Sequence, residues 1–574
     1  MMITTSKTKK TMTLQHTLTA LAMLAASASV KSQTAVFNHF TYQGNDARFA
    51  QVIDTTRQFF NPIIAGFAPD PSICRKGDTY YMVNSTFTLF PGVPLYTSKN
   101  LREWTLVGHV LNRESQLPLR GQHVSGGIYA PAISYNKRND TFYMITTNVG
   151  KGNFYVKSSN PEQGWSEPVY LKGMGGIDPS FFFDKDGKGY IVHNDAPDGG
   201  PRYEGERSIW IRQFDVKGDS LVGAAKEILR SGTHVQKNPI WIEGPHLYRI
   251  GKYYYLMCAE GGTGAWHSEV ILRAKNPMGP WEEFTGGNPI LTQRSGLDPM
   301  RPHPVSSTGH ADLVQTPKGN WWAVFLGCRP YEDDWYNTGR DTYMLPVTWK
   351  DGWPTILPQG EVLPTVVDAA REYAPSPRTQ ENLLTGNFGY TDNFQGDKLN
   401  MRWYFLREPA PFYQLADDGL HISPMSTNAR GRKAFSALFC KQQHTSFSAS
   451  TTLNFVPQSA QDMAGVLLFQ NEDYQIVLGK TMLRNRVAVV LQRVEKTSVN
   501  IASAFLSPQD AAAPLQLKVE GKGRYYDFYY AVGKGHWQLL AQGVDALNLS
   551  TNRAGGFIGA LIGLYATRQA VEKR

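Results

Sequence analysis

Five times between Asn61 and Pro364 the chain repeats one small plan: a turn, a short apolar strand, a Gly or Asp turn, then a second strand rich in Tyr, Trp and Val. The first unit reads Ala68-Pro69-Asp70-Pro71-Ser72-Ile73 and then Thr79-Tyr80-Tyr81-Met82-Val83. The second opens on Tyr129-Ala130-Pro131-Ala132-Ile133, the third on Ile177-Asp178-Pro179-Ser180-Phe181. The fourth opens on Glu243-Gly244-Pro245-His246-Leu247 and the fifth on Gly309-His310-Ala311-Asp312-Leu313. Runs of β-branched and aromatic residues broken by Gly, Asp or Asn are hairpins. One such unit cannot bury its own apolar face, so repeats of roughly 50 to 65 residues with about four strands each stack on one another. The spacing predicts an all-β fold with a five-bladed β-propeller over residues 55–365.

The pattern changes after that. Pro364, Pro375 and Pro377 mark a linker, set at 366–381, and from 382 to 574 short alternating strands such as Phe447-Ser448-Ala449-Ser450-Thr451-Thr452-Leu453 predict a β-sandwich. At the other end, residues 1–33 read as an export signal: Lys7, Lys9 and Lys10 precede the apolar run Leu18 to Ala26, and Ala26-Ser27-Ala28 fits a cleavage site. The expected location is the periplasm or the outside of a bacterium. The apolar run is too short to span a bilayer, and no later stretch reads as membrane-inserted. The net charge of +9 comes from Lys and Arg scattered along the chain, not gathered in a stripe, which argues against nucleic acid as a partner. The four cysteines, Cys74, Cys258, Cys328 and Cys440, show no metal-type spacing, and most sit in strand-like runs as expected of buried thiols. Asp184-Lys185-Asp186-Gly187 looks like the start of a calcium loop but lacks the downstream ligands and reads as a hairpin turn. The sequence carries no signal for oligomeric state.

In a propeller the first strand of each blade faces the central channel, so residues at the repeated strand start converge on one axis. Within about two residues of alignment these are Asp70, Tyr129, Asp178, Glu243 and His310. Carboxylates brought together resist ionising at once and their pKa values split. Inverting glycoside hydrolysis needs that split: one carboxylic acid protonates the departing oxygen while a carboxylate activates water on the opposite face. Each residue alone has a plainer reading, Asp-Pro-Ser as a capping turn and Glu243 as a loop acid. The shared register is what favours a site.

The motifs Phe67-Ala68-Pro69-Asp70-Pro71-Ser72-Ile73, Ser85-Thr86-Phe87, Gly175-Gly176-Ile177-Asp178-Pro179-Ser180, Glu243-Gly244-Pro245-His246 and Gly309-His310-Ala311-Asp312 resemble glycoside hydrolase family 43. The tail, with Asp392-Asn393-Phe394 and Leu399-Asn400-Met401-Arg402-Trp403, is similar to the concanavalin-like C-terminal domain of that family's β-xylosidase and α-L-arabinofuranosidase branch. The resemblance implies Asp70 as general base, Glu243 as general acid and Asp178 as the group that tunes Glu243. It implies Arg340, Phe87, Tyr129 and Thr263 as sugar-binding residues. His310 would sit beside a calcium ion or a water in the propeller channel, with no cofactor required for the chemistry. The implied activity is removal of terminal β-1,4-xylose or α-L-arabinofuranose from xylan or arabinoxylan fragments, so the partner is an oligosaccharide or polysaccharide. Tyr129 stands where the family often has Trp, and Asp341 where it often has Glu. Phe557, in Gly555-Gly556-Phe557-Ile558-Gly559, is a possible lender of a side chain to the pocket rim, with core packing the plainer role. An endo-arabinanase with an open groove and a non-catalytic carbohydrate-binding propeller are the competing readings.

Overall fold

A computed structural model of the chain describes residues 34–294, 296–369, 372 and 384–570. The expected export signal and most of the expected linker lie outside the described residues. The described chain is almost entirely β, with helix confined to a few short turns such as Pro508–Ala512 and Thr551–Ala554. No described helix is long and apolar enough to cross a membrane.

Residues 72–355 form five antiparallel sheets, each a meander of strands in chain order, the first of them skipping the short strand Leu89–Phe90. Their first strands are Ser72–Lys76, Ile128–Asn136, Ile177–Phe183, Glu243–Ile250 and Ser306–Gln315. Each first strand packs beside the next, and the fifth returns to the first. A hydrogen bond crosses every one of these junctions. Ile133 N–H donates to Ser72 Oγ (3.0 Å) and Ser134 Oγ to the Phe181 carbonyl (3.1 Å). Ser180 Oγ donates to the Pro245 carbonyl (2.5 Å) and Tyr248 Oη to Asp312 Oδ1 (2.7 Å). The ring closes where Ser72 Oγ and Ile73 N–H both donate to Asp312 Oδ2 (2.7 and 2.9 Å). Small hydroxyls at these strand starts thus satisfy backbone groups where tapering sheets come too close for larger side chains. Further out, Gln58–Phe60 pairs with Val366–Asp368, joining the start of the propeller to its end.

Beyond the propeller, two sheets face each other as a sandwich. One runs in spatial order Ser436–Lys441, Leu561–Thr567, Met463–Asn471, Tyr474–Leu483, Arg486–Glu495, Thr497–Phe505. The other contains Ser446–Asn454, whose buried residues alternate strictly, as a strand with one face in a core must. Its neighbour on one side is Leu515–Lys522; on the other it is Ala35–Gly44, from the far N-terminus. That N-terminal strand, which falls in neither predicted domain, buries Phe37, Phe40 and Tyr42 in the sandwich core. Two further ties bind the domains. Phe405–Leu406 pairs with Leu89–Phe90 of the propeller. Arg329, wholly buried, donates to Asp341 of the fifth sheet (2.8 and 2.9 Å), to Asp46 after the N-terminal strand (2.8 Å) and to the Gln443 carbonyl of the sandwich (2.8 Å). All four cysteines are free; three are buried and Cys74 is half-buried. Asp184 closes a hairpin turn and accepts from Arg249 (2.7 Å) and Tyr254 (2.6 Å) of the next sheet.

Candidate active site

Every first strand begins with the same backbone event. Asp70, Ala130, Asp178, Gly244 and His310 all have positive φ, from +23° to +55°, and regular pairing begins or resumes two residues later, at Ser72, Ala132, Ser180, His246 and Asp312. In four of the five a proline follows directly. This left-handed bend corrects the alignment read from sequence. Asp70, Asp178 and His310 do occupy one equivalent position, but Tyr129 and Glu243 stand one residue before it. What repeats is the bend and not the acid. Non-glycine residues in this conformation are uncommon and collect at functional sites. Gly244 has a separate reason to be glycine: a Cβ there would lie 2.9 Å from Cε1 and Nδ1 of His310.

The bends bring the predicted residues to one place. Asp70, Asp178, Gly244 and His310 bound a single central cavity of about 10 Å³, the size of one water. Asp70 accepts from Arg340 Nη1 (2.7 Å) and from Ser85 Oγ (2.5 Å). Burial alone would raise its carboxyl; the Arg340 guanidinium, then His310 and the Ser85 hydroxyl, outweigh burial and hold it below the usual carboxylate range. Asp178 is buried, accepts a long bond from Gly244 N–H (3.3 Å), faces Glu243 and Asp70, and feels Arg340 only as the smallest of its influences. Burial first, then those like charges, push it well above the usual range. Two aspartates at equivalent backbone positions are therefore driven apart, one toward the ionised form and one toward the protonated form. Burial takes His310 down to about 4, so its imidazole is neutral over the working range.

Arg340 is held where it can do more than pair with Asp70. Its guanidinium lies 5.8 Å from the ring centres of both Phe87 and Phe557, and Nη2 reaches the Phe557 carbonyl (3.4 Å). Phe557 arrives on a glycine-rich loop of the sandwich, stacks on Phe87 (5.9 Å, 18°) and meets Tyr129 edge-on (5.6 Å). Its own N–H donates to Ser125 Oγ (3.0 Å), and Tyr129 Oη donates to the Ser125 carbonyl (2.8 Å). Gly559 permits the approach, since a Cβ there would sit 2.4 Å from the Thr338 carbonyl oxygen. Phe557 thus packs against the apolar cluster that holds Phe87 and Tyr129, with its ring beside the Arg340 guanidinium. Thr263 lies half-buried in the turn between Tyr253–Glu260 and Ser268–Ala274, in the fourth sheet. Sequence reasoning missed His267, whose Nδ1 donates to the Ser307 carbonyl (3.0 Å) and whose Nε2 stands 3.6 Å from Glu243 Oε1. It sits in that same turn, where no pattern distinguishes it. Ser85 was visible only as part of a motif.

A calcium ion takes six to eight oxygen ligands. Among the described residues no group of three or more His, Cys, Asp or Glu side chains is arranged to hold a metal.

Two buried carboxylates driven apart around one cavity are the equipment of acid–base chemistry. Comparison with known proteins gives the family. Residues 59–354 match the profile of glycosyl hydrolases family 43, and residues 391–574 match the β-xylosidase C-terminal concanavalin A-like domain. The chain belongs to glycosyl hydrolase family 43. It is 38% identical over 521 residues to a xylosidase/arabinosidase of Butyrivibrio fibrisolvens, covering 88% of this chain and 95% of that one. It is 36% identical over 531 residues to a non-reducing end α-L-arabinofuranosidase of Bacteroides ovatus, covering 90% and 93%. Among solved structures, a GH43_12 protein retrieved from capybara gut metagenome superposes with a TM-score of 0.86 at 41% identity, covering 93% of this chain and all of that one.

Proposed function

We propose that this glycosidase is an inverting, exo-acting enzyme that releases terminal β-1,4-xylose or α-L-arabinofuranose from xylan or arabinoxylan fragments. The observation that carries the reading is the opposed environment of Asp70 and Asp178 around one cavity, with Glu243 beside Asp178. Asp70, kept ionised by Arg340, takes a proton from the attacking water. Glu243 gives a proton to the leaving glycosidic oxygen. Asp178, protonated more readily than an ordinary aspartate, keeps a proton in the Asp178–Glu243 pair and so restores the acid between turnovers. Arg340 is placed to donate to the hydroxyls of the terminal sugar, and Phe87 and Tyr129 to line its faces.

Exo action follows from the roof. Phe557 and its loop close over Phe87 and Arg340, which suits one terminal residue and not a chain passing through. The relatives' names include both xylosidase and arabinofuranosidase, and the two sugars present similar hydroxyl arrangements to one pocket. Trp241 and Trp266, 43% and 60% exposed, flank the fourth sheet's strand start and its adjoining turn, and offer flat faces to the rest of the oligosaccharide. Export to the periplasm or beyond fits a polymer-derived substrate.

The test is hydrolysis of the 4-nitrophenyl glycosides of β-D-xylopyranose and α-L-arabinofuranose, with Asp70→Asn as control and NMR of the first-formed anomer. Release from either, abolished in the control and giving the inverted anomer, supports the proposal. A folded protein that releases neither sugar but shortens arabinan internally would replace it with endo action.

A further inference from the structure

A second and larger cavity, of about 690 Å³, lies between the outer strands of the first propeller sheet and the sandwich. That is the size of a site for a small organic molecule. Lys441 lines it. The residue is 92% buried, being 8% exposed, and its ammonium has neither a hydrogen-bond acceptor nor an acidic partner among the described residues. Its neighbours are the rings of Phe67 (5.2 Å) and Tyr404 (5.4 Å). The nearby His109 is uncharged, lowered to about 3 by burial and by Lys441 itself, and its Nε2 lies 3.3 Å from Tyr404 Oη. With no anion facing it, burial takes the Lys441 ammonium down to about 7. A buried lysine is normally paired, and an unpaired one is costly.

The acids that line the cavity are already engaged or stand outside it. Glu103 accepts from Arg102 (2.8 Å) and Asn100 (3.0 Å); Asp392 accepts from Trp403 (2.8 Å) and from Phe394 N–H (2.8 Å); Glu162 is exposed. Arg402, lying over the Tyr390 ring at 4.0 Å, adds a second cation to the lining. A third lining cation, Lys99, is exposed and paired with Asp78 (2.7 Å), and amides and hydroxyls such as Asn400, Thr391 and Gln443 supply uncharged polar groups. Aromatic rings with amides and hydroxyls suit a sugar, and an unpaired cation among them suits a carboxylate.

We propose that this interdomain cavity binds a monosaccharide-sized sugar acid, with the carboxylate accepting from Lys441 and Arg402. The site is separate from the catalytic funnel, so occupancy and turnover are read independently.

The test is calorimetric titration of the full chain with sodium glucuronate, with xylose and sodium acetate as comparators. Glucuronate is expected to bind at least about tenfold more tightly than either, the size of one charge-assisted contact. Lys441→Met should weaken it by a similar factor, and Arg402→Met, at a half-exposed position that tolerates change, by severalfold. Arg340→Met, in the funnel, should leave it unchanged. Absence of glucuronate binding overturns the proposal. So does binding that is lost in Arg340→Met and kept in the other two variants, which would place the ligand in the funnel. Equal affinity for acetate removes the sugar from the site, and equal affinity for xylose removes the carboxylate.

Discussion

Asp70 and Asp178 occupy the same backbone position in different sheets, and their partners alone decide what each can do. The Arg340 guanidinium at 2.7 Å keeps Asp70 ionised. A base must be ionised to act, so activity falls as pH drops through the pKa of Asp70. Removing the cation raises that pKa, and Arg340→Met should therefore move the acid limb of kcat/KM to higher pH; a limb that stays put would detach Arg340 from the ionisation of Asp70. Glu243 answers to a different experiment. Acid assistance contributes about 10²–10⁴-fold and matters most when the leaving group is poor. Glu243→Gln should lose that factor on xylo-oligosaccharides and much less on 4-nitrophenyl glycosides. Equal loss on both would take Glu243 out of the acid's role.

At the scale of the element, the left-handed bend is the unit of construction. Asp tolerates positive φ better than most residues, and the Pro after it fixes the exit into the strand. Asp-Pro-Ser was therefore legible as a repeat, and with it the propeller and two of the three acids. The bend itself was not, because φ leaves no letter in the sequence when the same position is Asp, Ala, Gly or His; hence an alignment good only to about two residues, within which Glu243 and Tyr129 stand one residue before the bend. Gly244 is the sharpest case. An alanine there meets both a disfavoured φ and the His310 ring. Gly244→Ala should cost about 1–2 kcal/mol of stability by urea unfolding from the backbone alone, and lower turnover by shifting Glu243 beside it. Full stability would mean the bend relaxes freely. The strand Ala35–Gly44 escaped the sequence reading for another reason: its alternation is ordinary, but its partners lie hundreds of residues away, and local pattern cannot assign them. Phe557 was likewise ambiguous, since a phenylalanine in a glycine-rich loop looks the same whether it roofs a pocket or fills a core.

Across the whole molecule, the two domains are joined at the catalytic pocket and again at Arg329. That residue gathers Asp46, Asp341 and the Gln443 carbonyl in a site closed to solvent, so its removal leaves two buried carboxylates without their hydrogen-bonded cation and with only Arg48 nearby. Arg329→Met should destabilise the protein by about 3–5 kcal/mol in urea unfolding, with propeller and sandwich lost in one transition. A loss below about 1 kcal/mol, within the range of surface ion pairs, would show that water reaches the cluster.

The N-terminal strand sets a timetable for the growing chain. Its hydrogen-bonded neighbour in the sandwich lies more than 400 residues downstream, 412 from His39 to Thr451 and 416 from Asn38 to Asn454, which at about 5–20 residues per second is roughly 20–80 s of synthesis. When synthesis of the propeller ends, Phe37, Phe40 and Tyr42 still have no sheet to enter, because their first partners, Gly389–Asp392 and Gly419–Ile422, come later, and Phe557, which stacks on Phe87, comes later still. A chain interrupted at that point thus carries the acids of the enzyme and an adhesive edge, but no finished pocket. Limited proteolysis of stalled nascent chains should cut within 35–44 while only the propeller has emerged and spare it once Gly389–Asp392, Gly419–Ile422 and Ser446–Asn454 are all out; protection before Gly389 has emerged would mean the strand has an earlier, temporary partner.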